Sequence, residues 1–188
     1  IPDGWNGIKV HRYTIARGTT QNAHPWIKDT ETKVIRGEAA FKAMEGLRQS
    51  GFTPDAVVAN HGWGESLFVK EVWPETRLGI YCELYYHARG LDVGFDPEMQ
   101  QFGEGAGACS IRVKNLNNLA HMEIADGALS PTLFQASTFP EWFRLRITVA
   151  HDGIDTNLVR PDPDAVFTSG ELTLTRADEV VTFVNRNL

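Results

Sequence analysis

Apolar residues follow two rhythms along this chain. Between Thr30 and Ser50 they fall three or four apart: Val34, Ala40, Phe41, Met44 and Leu47 share one helical face, and Lys33, Arg36, Glu45 and Arg48 take the other. Gly51 follows as a stop signal. Two short, dense runs come next, Ala56-Val57-Val58-Ala59 and Leu78-Gly79-Ile80-Tyr81, with a short helix predicted between them over Glu65–Trp73 and closed by Pro74. This is a strand, helix, strand unit of parallel type. A loop rich in Gly, Asp, Glu and Gln spans Leu91–Gly107. One helix is predicted from Ser110 to Ala125, with Val113, Leu116, Ala120 and Ile124 on its apolar face. Strands follow at Ala128–Ser130 and Arg146–Ala150, with helical turns at Thr132–Ser137 and Pro140–Phe143 between them. The alternation is α/β throughout.

Each of the two dense runs empties into a polar and aromatic cluster. The first leads into Asn60-His61-Gly62-Trp63-Gly64-Glu65, the second into Cys82-Glu83-Leu84-Tyr85-Tyr86-His87. Ligands in open α/β sheets bind beyond the carboxyl ends of the strands, so the two clusters predict one crevice built from neighbouring loops. Gly62 and Gly64 would let the backbone approach a ligand, and His61 reads equally as a ligand group or as the cap of a helix starting near Glu65. Trp63 reads either as a stacking surface for a sugar or as a cover for the core. Glu83, Tyr85, Tyr86 and His87 are costly at the end of a buried strand unless they face a polar ligand. Glu83 beside His87 could fix its tautomer for contact with a hydroxyl or phosphate, or the two could simply brace the loop. Arg112 and Lys114 could meet an acidic ligand but read more simply as a solvated helix face. His121 is most simply a satisfied, partly buried histidine, and His24 a candidate wall beside Trp26.

Composition narrows the class. Among 188 residues the formal net charge is -6, which argues against a broad nucleic-acid footprint. Cys82 and Cys109 are too few for a disulfide scaffold and suit reduced thiols in the cytoplasm. No signal peptide, membrane-length apolar run, metal-ligand spacing, Gly-x-Ser-x-Gly elbow or complete phosphate loop is present, so no metal and no cofactor is expected. After His151 the prolines at 161 and 163 read as linker, a hairpin fits Glu171–Thr175, and a fresh buried strand fits 179–184. Both ends read as those of a piece of a longer protein.

The succession from Pro54 to Glu65, then Tyr81 to His87, then Ile147-Thr148-Val149-Ala150-His151-Asp152-Gly153-Ile154-Asp155 resembles the N-terminal domain of family 4 (group 1) retaining glycosyltransferases. The resemblance implies a GT-B protein of two Rossmann-like domains facing across a cleft. On that basis residues 1–150 would be a Rossmann-like, doubly wound, mostly parallel acceptor domain lacking its first strand and turn. Residues 151–178 would be the interdomain linker, and 179–188 the first strand of the donor domain. The domain would take its own C-terminal donor domain as partner, a nucleotide-diphosphate sugar as donor substrate and a glycan or lipid-linked acceptor; peripheral membrane contact is not indicated.

Further roles come from the same likeness. His61, Gly62, Trp63 and Tyr86 would bind acceptor, while Glu83 and His87 would be catalytic, since family members place a histidine near the reacting sugar at the position held here by Cys82 or Glu83. Gly153 and Asp155 match an interdomain signature and would act as a hinge. Arg186 matches the arginine set against the donor diphosphate, with Asn185 in place of the family's glycine. The piece alone would be inactive. The reading from a different class is a non-catalytic α/β module that binds carbohydrate or protein through the same clusters.

Overall fold

The computed structural model describes residues 7–91, 93, 98 and 104–181. The chain divides into two compact units, Ile1–His151 and Asp152–Leu188.

The first unit opens with helix α1, Lys28–Gln49, whose first turn carries Asp29 and Glu31 and whose last turn carries Arg48, each charge complementing the helix dipole. Gly51 stops it in the left-handed conformation, φ 86°, donating its N–H to Arg48 O while Phe52 N–H reaches Leu47 O. Phe41, Met44 and Leu47 pack on the core as their spacing predicts, but Val34 is exposed and Ile35 and Gly37 are buried instead. The helix is turned by its close approach at Gly37 to the loop after the first strand, so the buried stripe shifts by one residue at its N-terminal end.

Strands β1 (Ala56–Asn60), β2 (Arg77–Tyr81), β3 (Gly127–Ser130) and β4 (Ile147–Val149) form a parallel sheet in the order β1-β2-β3-β4. Val57 pairs with Leu78, Ile80 with Ala128 and Leu129 with Thr148. This is an α/β, Rossmann-like sheet with flanking helices. β2 is its buried centre, with Leu78 and Ile80 closed off from solvent. They join Val69, Val72, Trp73, Cys82, Met122, Phe139 and Phe143 in one core, which is the main source of stability for a unit of this size. β1 has one face open: Val58 is 80% exposed, so the first apolar run is only half a core strand.

Two predicted helices come out differently. Between β1 and β2 the regular helix is confined to α2, Val69–Val72, preceded by a 3-10 turn at His61–Trp63. The helix expected over 110–125 is two, α3 (Gly105–Lys114) and α4 (Leu116–Ile124), joined at Asn115. Leu116 and Ala120 are exposed; Asn115, Asn117, Asn118, His121 and Met122 are buried. The two helices meet at Asn115, whose side chain holds the backbone of Tyr86, accepting its N–H at 3.1 Å and donating to its O at 2.8 Å. Helices α5 (Leu133–Ser137), capped by Thr132, and α6 (Glu141–Arg144) close the unit before β4.

In the second unit, β5 (Phe167–Ser169) and β6 (Leu172–Leu174) form an antiparallel hairpin turned at Gly170, φ 60°. Residues 179–181 are not strand, and 182–188, which complete the expected strand and include Arg186, lie outside the described residues.

Candidate functional site

The parallel sheet delivers the ends of β1 and β2 side by side, Asn60 against Tyr81. β1 runs directly into a tight turn. Asn60 Oδ1 accepts the Gly62 N–H at 3.1 Å, and Gly64 ends the turn at φ 96°. α1 lies almost on this turn: a Cβ on Gly64 would sit 2.7 Å from Lys33 Cα, and one on Gly37 would sit 2.9 Å from Gly64 O and 3.0 Å from Phe68 Cε2. Glycine at 64 thus meets both a left-handed backbone and a helix in contact. The approach sets Asp29 and Lys33 beside the strand ends, with Lys33 Nζ 3.3 Å from the Asp29 carboxylate.

A cavity of about 60 Å³ opens there. Its walls are Asn60, His61 and Gly62 after β1, Tyr81, Glu83, Leu84 and Tyr86 at the end of β2, Asp29 and Lys33 from α1, and Lys114, Asn117 and Asn118 from α3 and α4. Both expected clusters therefore line one hollow, and His61, Gly62, Glu83 and Tyr86 meet in it. Glu83 is exposed. Lys114 lies over the Tyr86 ring, 3.8 Å from its centroid.

His61 is buried rather than a surface cap, 2% exposed. Its Nδ1 is 2.9 Å from Tyr81 O and its Nε2 is 2.9 Å from Asn118 Oδ1, so both ring nitrogens face protein oxygens inside the fold. Burial holds it below the ordinary histidine range, opposed by Asn118, Tyr81 O and Glu83.

Trp63 and His87 stand outside this cavity. Trp63 is half-exposed, with Lys33 and Arg36 each 5.6 Å from its ring. Arg36 pairs with Glu65 at 3.0 Å, and Tyr13 donates to Glu65 at 2.6 Å, tying the N-terminal segment to the turn. His87 lines a second hollow with Tyr85, Tyr86, Cys109 and Arg112. Its Nε2 donates to Thr138 O at 2.6 Å, and its ring meets Tyr85 edge to face. Glu83 and His87 thus face different hollows. His24 packs edge-on against Trp26 at 5.1 Å between ring centroids. In the second unit, Gly153 takes φ 88° and Asp155 Oδ1 accepts the Asn157 N–H at 2.9 Å.

His121, behind the cavity, is fully satisfied: Nδ1–H donates to Asn117 O at 2.8 Å and Ser66 Oγ donates to Nε2 at 2.9 Å. Burial pushes its pKa down to about 4 from the ordinary 6.5. The unfolded chain takes up this proton through pH 6.5 while the folded chain resists until about pH 4, so stability present above 6.5 is lost as pH falls. We expect urea unfolding to show a loss of roughly 3 kcal/mol between pH 7 and pH 4 from this group. His121→Gln should flatten that slope; an undiminished slope in the variant contradicts the assignment.

Nothing in the hydrophobic pattern marks Asp29 or Lys33 as site residues, and the helix expected over 110–125 sets Lys114 on a solvated face and gives no role to the amides of 115–118. A usable signal was nevertheless present: three asparagines in four positions oppose helix formation unless their amides have buried partners.

A family model described as glycosyl transferase family 4 group matches residues 2–159. The chain belongs to this family. Among curated proteins and solved structures, none matches it. Membership makes sugar transfer the general activity, with a sugar donor and an acceptor as substrates. The family 4 match runs from the segment before α1 to beyond β4 and contains every residue of the cavity. Among the described residues, no helix is long and apolar enough to cross a membrane.

Proposed function

We propose that residues 1–150 form the acceptor-side domain of a retaining, metal-independent GT-B glycosyltransferase of the cytoplasm, followed by a linker over 151–178 that hinges at Gly153 and Asp155. The observation that carries this reading is the cavity at the ends of β1 and β2, in which an exposed carboxylate, Glu83, stands among Lys33, Lys114, Asn60 and Tyr86. At about 60 Å³ it accepts one hydroxyl-bearing edge of a sugar, not a nucleotide sugar. The donor therefore needs a second wall, supplied by a C-terminal domain to which Arg186 would contribute a diphosphate-facing cation.

In this reading Glu83 accepts a hydrogen bond from the attacking hydroxyl and fixes its direction. The hydroxyl oxygen bonds the anomeric carbon, the bond to the diphosphate breaks, and the hydroxyl proton passes to the Glu83 carboxylate while the diphosphate departs as its anion. Lys33 and Lys114 favour an acceptor carrying anionic groups. His87 and Trp63 shape the rim, His87 by bracing the segment that carries Tyr86. The test is a mass-spectrometric screen of the full-length protein against a panel of nucleotide sugars and glycan acceptors. One donor should yield a product heavier by one sugar residue. Acceptor binding without transfer from any donor would favour the non-catalytic module.

A further inference from the structure

The orientation of the Asn115 and Asn118 amides beneath the cavity is fixed by backbone. Asn115 accepts Tyr86 N–H and donates to Tyr86 O, and neither partner can be exchanged. Asn118 Nδ2 then donates to Asn115 Oδ1 at 3.0 Å and to Leu84 O at 3.3 Å. Reversing Asn118 would set its oxygen against two oxygens. Its Oδ1 must therefore be the atom 2.9 Å from His61 Nε2, while Tyr81 O stands 2.9 Å from Nδ1. A neutral imidazole carries one N–H, so one of these contacts sets a lone pair against an oxygen; the imidazolium makes both hydrogen bonds.

The charged groups around the ring are few. Glu83, at the end of β2, favours the protonated ring. Asp29 and Lys33 of α1 and Lys114 of α3 line the same cavity, and His121 of α4 lies 5.2 Å from the His61 ring between centroids. Burial works against the charge. We propose that Asn118, oriented by Asn115, is a positioning residue that fits this cleft to the protonated form of His61, so that one proton places a fixed positive charge beside Glu83. This goes beyond sugar transfer and does not depend on it.

The test is nitrogen NMR of the full chain labelled in its histidine rings, followed through pH in the wild type, Asn118→Leu and Asn118→Asp. In the wild type the acid form of His61 should hold both N–H protons in hydrogen bonds, and the neutral form should accept none at Nε2. Asn118→Leu should lower the midpoint of the His61 titration by about one pH unit, and Asn118→Asp should raise it. A midpoint unmoved in both variants overturns the proposal. So does a neutral wild-type ring whose Nε2 accepts a hydrogen bond from the Asn118 amide, a result that stands even if Asn118→Leu does not fold.

Discussion

Gly64→Val is expected to destabilise the first unit by at least roughly 3 kcal/mol and to abolish the cavity with it. Two independent effects combine there. At φ 96° a β-branched residue is strained whatever space surrounds it. The new Cβ would also fall 2.7 Å from Lys33 Cα and Lys33 Cβ, a helix backbone that cannot swing aside as a long side chain could. Relief requires α1 to retreat from the turn, which breaks the packing of Gly37 on Gly64 and Phe68 and withdraws Lys33 and Asp29 from the strand ends. Gly46, on the same helix with nothing within 4 Å of its would-be Cβ, is the matched control, and Gly46→Ala should be neutral or slightly stabilising. Denaturant midpoints compare the two. Equal midpoints would show that α1 does not seat on this turn.

The strand ends were legible because a parallel sheet leaves little choice: two apolar runs joined by a crossover must deposit their following residues at one edge. The neighbourhood of Asn60 and Tyr81 comes from that rule. The interior of the cleft did not, for local reasons. Four-residue spacing makes neighbours on a helix, but the segment from Cys82 to His87 is irregular, so Glu83 and His87 turn to separate hollows. The apolar pattern of Val113, Leu116, Ala120 and Ile124 described an unbroken helix, yet the buried face is built from Asn115, Asn117, Asn118 and His121. Hydrophobicity does not report a polar face whose hydrogen bonds close on the backbone of a distant loop. The same blindness concealed His61, buried between Tyr81 O and Asn118, which its glycine-flanked setting presented as a surface residue.

The second large effect belongs to Glu83. Replacing it by Gln keeps the shape of the side chain and removes its charge, so an attacking hydroxyl loses a charge-assisted hydrogen bond and, with it, a fixed direction. The exposed position of Glu83 makes the substitution harmless to folding. We expect transfer by the full-length protein to fall about 100-fold, mostly in kcat. His87→Asn, acting only on the rim, should lower it by less than about 10-fold. The decisive measurement is the initial rate of sugar transfer, read by mass spectrometry, for wild type, Glu83→Gln and His87→Asn in full-length protein of verified fold. A large loss in Glu83→Gln beside a small one in His87→Asn is the predicted result; unchanged turnover in Glu83→Gln would contradict the placement of the reacting hydroxyl in this cavity.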